Sequence, residues 1–254
     1  MRDSCTIRGN PYEAVFLAAQ RTYALTSNER AEEILRTLRR FANLSERSVL
    51  DVGCGPGHIA DYLRRYVKDV VGLDTNETYL REATERHLQA VLGDVACLPL
   101  RAEAFDVIIC NDVLEHVFDS KLAIQEIMRV ISGDGIAFVQ CANKYQIVEP
   151  HFLLPFLSWV PRRLANVYLG LSRRGKSYDA YHPLSTSELD AICEQYVCID
   201  LSREYLANKI TGLKIGSPTL RFLVSAMRKV LSDQMLARLL VPFSVHVRVL
   251  LKKL

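Results

Sequence analysis

The sequence predicts an α/β fold built on a mostly parallel sheet, and three observations point to it. From about residue 45 onward, short β-branched runs alternate with stretches of helical periodicity. Those runs are apolar throughout rather than alternately polar, as strands buried on both faces must be. The first of them runs straight into glycines at 53, 55 and 57, where backbone without side chains turns sharply and approaches a ligand closely.

The elements follow in order. Residues 27–42 read as a helix, because Ala31, Ile34, Leu35, Leu38 and Phe41 recur at helical intervals and Thr26 with Glu29 has capping-box spacing. Strands fall at 48–52, 69–73, 90–92, 105–110 and 135–141. Helical periodicity fills the gaps, as in 122–130, where Ile124, Ile127, Met128 and then Ile131 share a face. Residues 187–195 read as a helix and 196–201 as a sixth strand. In the seventh, Val245, Val247, Val249 and Leu251 alternate with His246, Arg248 and Lys252. It arrives without a long crossover helix of the usual kind, so an antiparallel place in the sheet is expected.

Two stretches, 143–182 and 203–242, break the alternation. Chain leaving the carboxyl end of a parallel strand emerges on the ligand side, so both are expected over the active site as a lid or substrate pocket. The organisation is then an N-terminal helical cap (1–44), a core (45–142), an insertion (143–182), further core (183–202), a helical insertion (203–242) and a last strand (243–254).

Bulk properties set bounds on this. With 254 residues, 49% hydrophobic and 24% charged, the chain has material for one large α/β domain with additions or for two small domains. Its seven cysteines form no C-x-x-C pair, which argues against a disulfide framework or zinc site and for a reducing cytoplasm. The first residues lack the apolar run of a signal peptide. The longest uncharged apolar stretch, 150–161, is far short of the roughly 20 residues needed to span a bilayer. A net charge of +3 is too mild to imply nucleic acid.

The chemistry lies at successive strand ends. The run V-L-D-V-G-C-G-P-G (49–57) places Asp51 just ahead of its glycines. A dinucleotide fingerprint needs a third small residue at position 58, where this chain has His58, and Asp51 suits a cationic ligand better than pyrophosphate. V-V-G-L-D ends on Asp74, an acid able to accept from both hydroxyls of a ribose. Gly93-Asp94-Val95 follows the third strand, with an acid placed to accept from an adenine amino group. F-D-V-I-I-C-N-D-V-L-E-H (105–116) ends the fourth.

Over residues 45–142, and more weakly at the last strand, these motifs resemble those of the class I S-adenosylmethionine methyltransferases. The resemblance implies a Rossmann-like, seven-stranded sheet with helices on both faces and S-adenosylmethionine as cofactor. It implies that Gly53, Cys54, Gly55 and Gly57 line the methionine part, with Asp51 supporting the amino group. Asp74 and Thr75 would meet the ribose, Asp94 and Val95 the adenine, and Asn111 the region near the sulfonium. The closest likeness is to the small-molecule branch that includes ubiquinone and menaquinone biosynthesis. In ubiquinone O-methyltransferases an E-x-x-E-H run is linked to a divalent metal, and Asp112, Glu115 and His116 match it. L-E-H is widespread in the superfamily without metal, orienting the loop, and no metal is expected here.

The insertions should choose the acceptor. The first holds the apolar 150–161, followed by Arg162, Arg163, Arg173, Arg174 and Lys176. The second mixes Leu220, Leu223, Met227, Val230, Leu231 and Leu239 with Arg221, Arg228, Lys229 and Arg238. Together they carry nine net positive charges, against six net negative elsewhere. Apolar and basic surfaces suit a lipid-like acceptor or an anionic membrane surface, so peripheral attachment is expected.

Methyl transfer is an in-line displacement that depends on near-attack geometry. For an oxygen acceptor, His116, His151 and His182 are the candidate general bases, all on strand-end loops. Glu149 is close enough in sequence to orient His151, and Tyr145, Tyr178 and Tyr181 are candidates to position the acceptor. The leading function is O-methylation of a small or lipid-linked metabolite. A nucleic-acid methyltransferase is the rival, weakened by the absence of an N-P-P-Y tetrad where Asn111-Asp-Val-Leu stands. A binding module without turnover is the third reading.

Overall fold

The computed structural model describes residues 11–175, 177–211, 225, 227, 231–244 and 246–253. Seven strands form one sheet: β1 (Ser48–Val52), β2 (Asp69–Asp74), β3 (Gln89–Leu92), β4 (Phe105–Asn111), β5 (Ile131–Ala142), β8 (Val197–Asp200) and β9 (His246–Lys252). A separate two-stranded hairpin pairs β6 (Val148–Glu149) with β7 (Leu154–Pro155). The sheet order is β3-β2-β1-β4-β5-β9-β8. The first five strands are parallel to one another, and β9 runs antiparallel between β5 and β8. This is the mostly parallel, seven-stranded sheet that the sequence predicts.

The helices are α1 (Pro11–Leu38), α2 (His58–Leu63), α3 (Glu77–Glu85), α4 (Ser120–Val130), α5 (Arg162–Ser172), α6 (Thr186–Cys193), α7 (Ser202–Thr211) and α8 (Asp233–Leu240). Alternation along the strands divides them between two faces. Leu50, Ile108, Cys110 and Val139 pack with Ile124 and Ile127 of α4 and Leu189 of α6. Val49, Ile109, Phe138 and Leu250 turn the other way, toward Ile34, Leu35 and Leu38 of α1 and Ile59 and Leu63 of α2. Burial of each large aliphatic side chain contributes about 1.5–3 kcal/mol, so α1 is a full layer of the fold.

Two local expectations need correction. Thr26 does not cap a helix starting at 27: α1 runs through it from Pro11 and ends at Leu38 rather than 42. The A-V-F-L-A-A-Q run ahead of it consists mostly of good helix formers with no breaker, and that propensity outweighs a capping signal four letters long. β5 starts at Ile131 rather than 135, because a register shift between Phe105 and Val107 absorbs residues 132–135.

The first insertion sits at the carboxyl ends of β4 and β5. Ala142, the last residue of β5, packs with Leu154, Leu157, Leu169, Tyr178 and Tyr181. His182 N–H donates to the Glu115 carbonyl in the loop after β4. In the second insertion, α7 and α8 pack through Leu206, Ala207, Leu236 and Leu240. Asn143 Nδ2 donates to the carbonyl of Pro242 at 3.0 Å, which ties the end of that segment to the end of β5. Lys176, Leu220, Arg221, Leu223, Arg228, Lys229 and Val230 lie outside the described residues.

Candidate active site

β1 leads into the glycine turn. Gly53, Gly55 and Gly57 have φ of +67°, +52° and +82°, a left-handed region that L side chains seldom adopt. A Cβ on Gly53 would collide with Val113, and one on Gly57 would sit 2.5 Å from Leu88. A Cβ on Gly55 meets nothing within 4 Å, so that residue faces the open side of the turn. Gly55 N–H donates to Asp74 Oδ2 at 2.8 Å, and Asn76 N–H donates to Oδ1 at 2.8 Å. The acid ending β2 is thus clamped against the turn after β1.

Asp51 lies beneath, 2% exposed, with Oδ2 lacking any hydrogen-bond partner. Burial, reinforced by the Asp74 charge, pushes its carboxyl up to about 7. Among the described residues no Lys or Arg pairs with Asp51 or Asp74. A buried acid left this way fits a ligand that brings its own cation. Burial also pushes the Cys54 thiol up, so it lines the turn as a neutral group. Thr75 is exposed. Asp94, also exposed, accepts from Ala96 N–H at 2.8 Å, while Val95 is buried.

Asn111, at the end of β4, is 6% exposed. The next residue, Asp112, has φ +58° and is a node of polar contacts. It accepts from Arg30 Nη1 (2.7 Å), Gln140 Nε2 (2.9 Å) and Asn111 Nδ2 (3.1 Å), and His246 Nε2 lies 3.4 Å away. Burial pushes its carboxyl up, but His246, Arg30 and Gln140 outweigh that and hold it below the ordinary range. Glu115 accepts from Ala142 N–H at 3.2 Å and is pushed up to about 8, by burial first and then by the Asp112 charge. Asp112, Glu115 and His116 therefore do not converge, and no cluster among the described residues is placed to hold a metal.

Two of the three candidate bases come together. His151 lies edge-on to His116, with ring centroids 5.3 Å apart, and Tyr181 completes a triangle at 4.6 Å from His151 and 5.4 Å from His116. Glu149 is fully buried and accepts from His151 Nδ1 at 2.8 Å and from Phe152 N–H at 2.7 Å. Burial, followed by His151, lowers the His116 pKa. His182 is held elsewhere, against Arg162 and edge-on to Phe118. The hydroxyls of Tyr178 and Tyr181 are buried beside this cluster, the first facing Ser158 and the second the side-chain amide of Gln146. Tyr145 packs instead on Trp159.

Residues 50–139 match a family model described as a methyltransferase domain. A ubiquinone biosynthesis O-methyltransferase of Neisseria meningitidis is 32% identical over 182 residues, covering 60% of this chain and 74% of that one. The chain belongs to the S-adenosylmethionine-dependent methyltransferases. S-adenosylmethionine is accordingly the cofactor, and the unpaired Oδ2 of Asp51 and the open side of Gly55 fit it. A probable S-adenosylmethionine-dependent methyltransferase of Mycobacterium tuberculosis is 31% identical over 100 residues, which is 39% of this chain but only 36% of that one. The chain thus spans about a third of the mycobacterial relative's length. The YcgJ protein of Bacillus subtilis has the same fold, with a TM-score of 0.55 and 18% identity over 89% of this chain and 99% of that one.

This methyltransferase has one region that the sequence did not announce. A cleft of about 700 Å³ lies between α1 and α7, lined by Arg30, Ile34, Asn111, Gln140, His246 and Arg248 among others. Arg248 Nη1 pairs with Glu33 Oε1 at 2.7 Å, and its guanidinium lies over the Tyr205 ring. Arg40 pairs with Glu204 at 2.7 Å to join α1 to α7. Of these residues only Asn111 stands in a motif. The helical stripe of α1 and the alternation of the last strand foretell buried faces and say nothing of what their polar sides meet.

Proposed function

We propose that this chain transfers the methyl group of S-adenosylmethionine to a hydroxyl oxygen of a small or lipid-linked metabolite. The bound cofactor supplies an electrophilic methyl group. Asp51 takes its amino group, and Gly53, Cys54, Gly55 and Gly57 cradle the methionine portion. Asp74 and Thr75 meet the ribose, Asp94 and Val95 the adenine, and Asn111 the neighbourhood of the sulfonium.

The observation that carries the oxygen target is the His151–Glu149 pair. A buried carboxylate 2.8 Å from Nδ1 fixes the tautomer in which Nδ1 bears the proton. Nε2 is then the atom that accepts the acceptor's hydroxyl proton, and general-base help of this kind contributes about 10²–10⁴-fold. His116 and Tyr181 wall the same space, and the buried polar groups of Tyr178, Tyr181, Gln146 and Ser158 beside it suit a hydroxylated ligand. The Neisseria relative's name, an O-methyltransferase, supports the same reading. The test is to incubate the full chain with methyl-labelled S-adenosylmethionine and cell extract, then separate lipid, polar-metabolite and RNA fractions. Label in an ether of the lipid or metabolite fraction is expected; label confined to RNA overturns the proposal.

The same reading puts the protein in the cytoplasm, working peripherally at an anionic membrane. No described helix is long and apolar enough to cross one. On α5, Leu164, Val167 and Leu171 point outward at helical spacing, with Leu171 80% exposed. Leu153, Phe156 and Trp159 are exposed in the preceding hairpin and turn, the first two held at left-handed φ. Arg162, Arg163, Arg173 and Arg174 flank them, all exposed. Each basic residue near an anionic bilayer contributes about 1 kcal/mol, reduced by salt. Co-sedimentation with anionic vesicles at low salt, lost in high salt and with neutral lipid, is the expected result.

A further inference from the structure

An asparagine amide has two unlike ends, and at Asn111 one neighbour decides which end is left over. Nδ2 donates to Asp112 Oδ2 at 3.1 Å, so Oδ1 is the end that Asn111 offers elsewhere. Asp112 is itself fixed in place. Its φ of +58° is one that non-glycine residues seldom adopt, and its N–H donates to the Gln140 carbonyl at 2.9 Å. Gln140 Nε2 returns a hydrogen bond to Oδ1 at 2.9 Å. Oδ2, the oxygen that holds Asn111, receives Arg30 Nη1 at 2.7 Å. That contact joins a helix on one face of the sheet to a strand end 82 residues later. Being charge-assisted, it is also the strongest kind of bond in the set.

We propose that Arg30 is a positioning residue for methyl transfer: acting through Asp112, it holds Asn111 with the amide oxygen, not the nitrogen, turned toward the sulfonium of the cofactor. The inference rests on the reading of Asn111 as the residue beside that sulfonium. Its chemical sense lies in the change of charge during the reaction. The methylsulfonium is cationic, whereas the product thioether is neutral. An amide oxygen attracts the cation and an amide nitrogen repels it, so the orientation of this one group favours the methyl donor over the spent cofactor. Without Arg30, Oδ2 loses its charged partner, the Asp112 carboxylate is free to turn toward Gln140 and His246, and the Asn111 amide is released to flip.

Calorimetry of S-adenosylmethionine and S-adenosylhomocysteine binding to the full chain tests this without any acceptor. Arg30→Met is expected to weaken S-adenosylmethionine about five- to tenfold while leaving S-adenosylhomocysteine within about twofold. Arg30→Lys, which keeps the charge, should restore most of the difference. In an Asn111→Ala background, Arg30→Met should change the ratio no further. An equal loss for both ligands, or an unchanged ratio while both bind, overturns the proposal. If neither ligand binds the unaltered chain, the cofactor reading falls and takes this inference with it.

Discussion

The glycine turn after β1 and the histidine cluster beside β5 both line the carboxyl edge of the sheet, yet they treat charge in opposite ways. Around the turn, Asp51 and Asp74 have no Lys or Arg among the described residues, and burial together with the Asp74 charge pushes Asp51 up to about 7. Around the cluster, two acids are matched from within the chain, Glu149 by His151 and Asp112 by Arg30, while Glu115 is pushed up to about 8 by burial and then by the Asp112 charge. The first region is electrostatically incomplete until a cation arrives, as suits a cofactor carrying an ammonium and a sulfonium. The second carries its own cationic partners and keeps its geometry whatever the acceptor, as suits a place where a proton must be taken at one defined atom.

The contrast is tested most sharply by separating turnover from cofactor binding. His151→Ala should lower kcat by about 10²–10⁴-fold on whichever acceptor the labelling identifies. Its affinity for S-adenosylmethionine should stay within about twofold by calorimetry, since it lies in the self-sufficient region. Glu149→Gln should fall in the same direction by a smaller factor, because the tautomer is no longer held. Loss of cofactor affinity in His151→Ala would erase the distinction between the two regions.

Next in size are changes to the turn. Gly55→Val places a branched side chain at φ +52° and into the open side, and binding should drop more than about 100-fold. Asp74→Ala removes an acceptor for ribose hydroxyls and also frees Gly55 N–H, costing about 1–3 kcal/mol, or roughly 5- to 150-fold in affinity.

A third expectation concerns pH. Because the folded state raises the Asp51 pKa, the ligand-free protein holds that proton more tightly than the unfolded chain does. Its stability therefore declines as pH rises from the ordinary carboxylate range through about 7. The cofactor's ammonium selects the ionised form, so affinity should move the other way. It should be about tenfold weaker at pH 6 than on the plateau above pH 8. Asp51→Asn should flatten the affinity profile in calorimetry and make the decline in thermal melts shallower, leaving the part that Glu115, pushed up to about 8, contributes. The smallest effect expected is from chelation: activity should be unchanged in excess chelator, because Asp112 is already committed to Arg30 and Gln140. Collapse in chelator with recovery on adding magnesium would return Asp112, Glu115 and His116 to the position of ligands.

How far each region could be read from the sequence follows the same division. Asp51, the glycines, Asp74, Asp94 and Asn111 each lie on or beside the end of a strand, so a strand pattern and a short motif locate them together. The sheet was legible for the same reason, down to the last strand, which alternation at 245–251 signalled and which was expected to lie antiparallel for want of the usual long crossover helix. Pairing His151 with Glu149 was within reach because the two are neighbours in the chain. The company of His116 and Tyr181 was not, since it is brought about by packing between the loop after β4 and an insertion with no periodicity to read. Arg30, His246 and Arg248 were invisible for a stronger reason. Their partners lie 82 to 215 residues away, and no local pattern encodes such a meeting.

That last separation bears on the order in which the molecule can form. β9 follows every other described strand in sequence but lies inside the sheet, between β5 and β8, and its Arg248 reaches back to Glu33 on α1. During synthesis, therefore, the flank of β5 stays unzipped until residues 246–252 have left the ribosome, with the row of N–H and C=O groups that β9 will later satisfy exposed. Closing a contact across 215 residues is slow, and in that interval the nascent chain is at its most prone to stick to its neighbours.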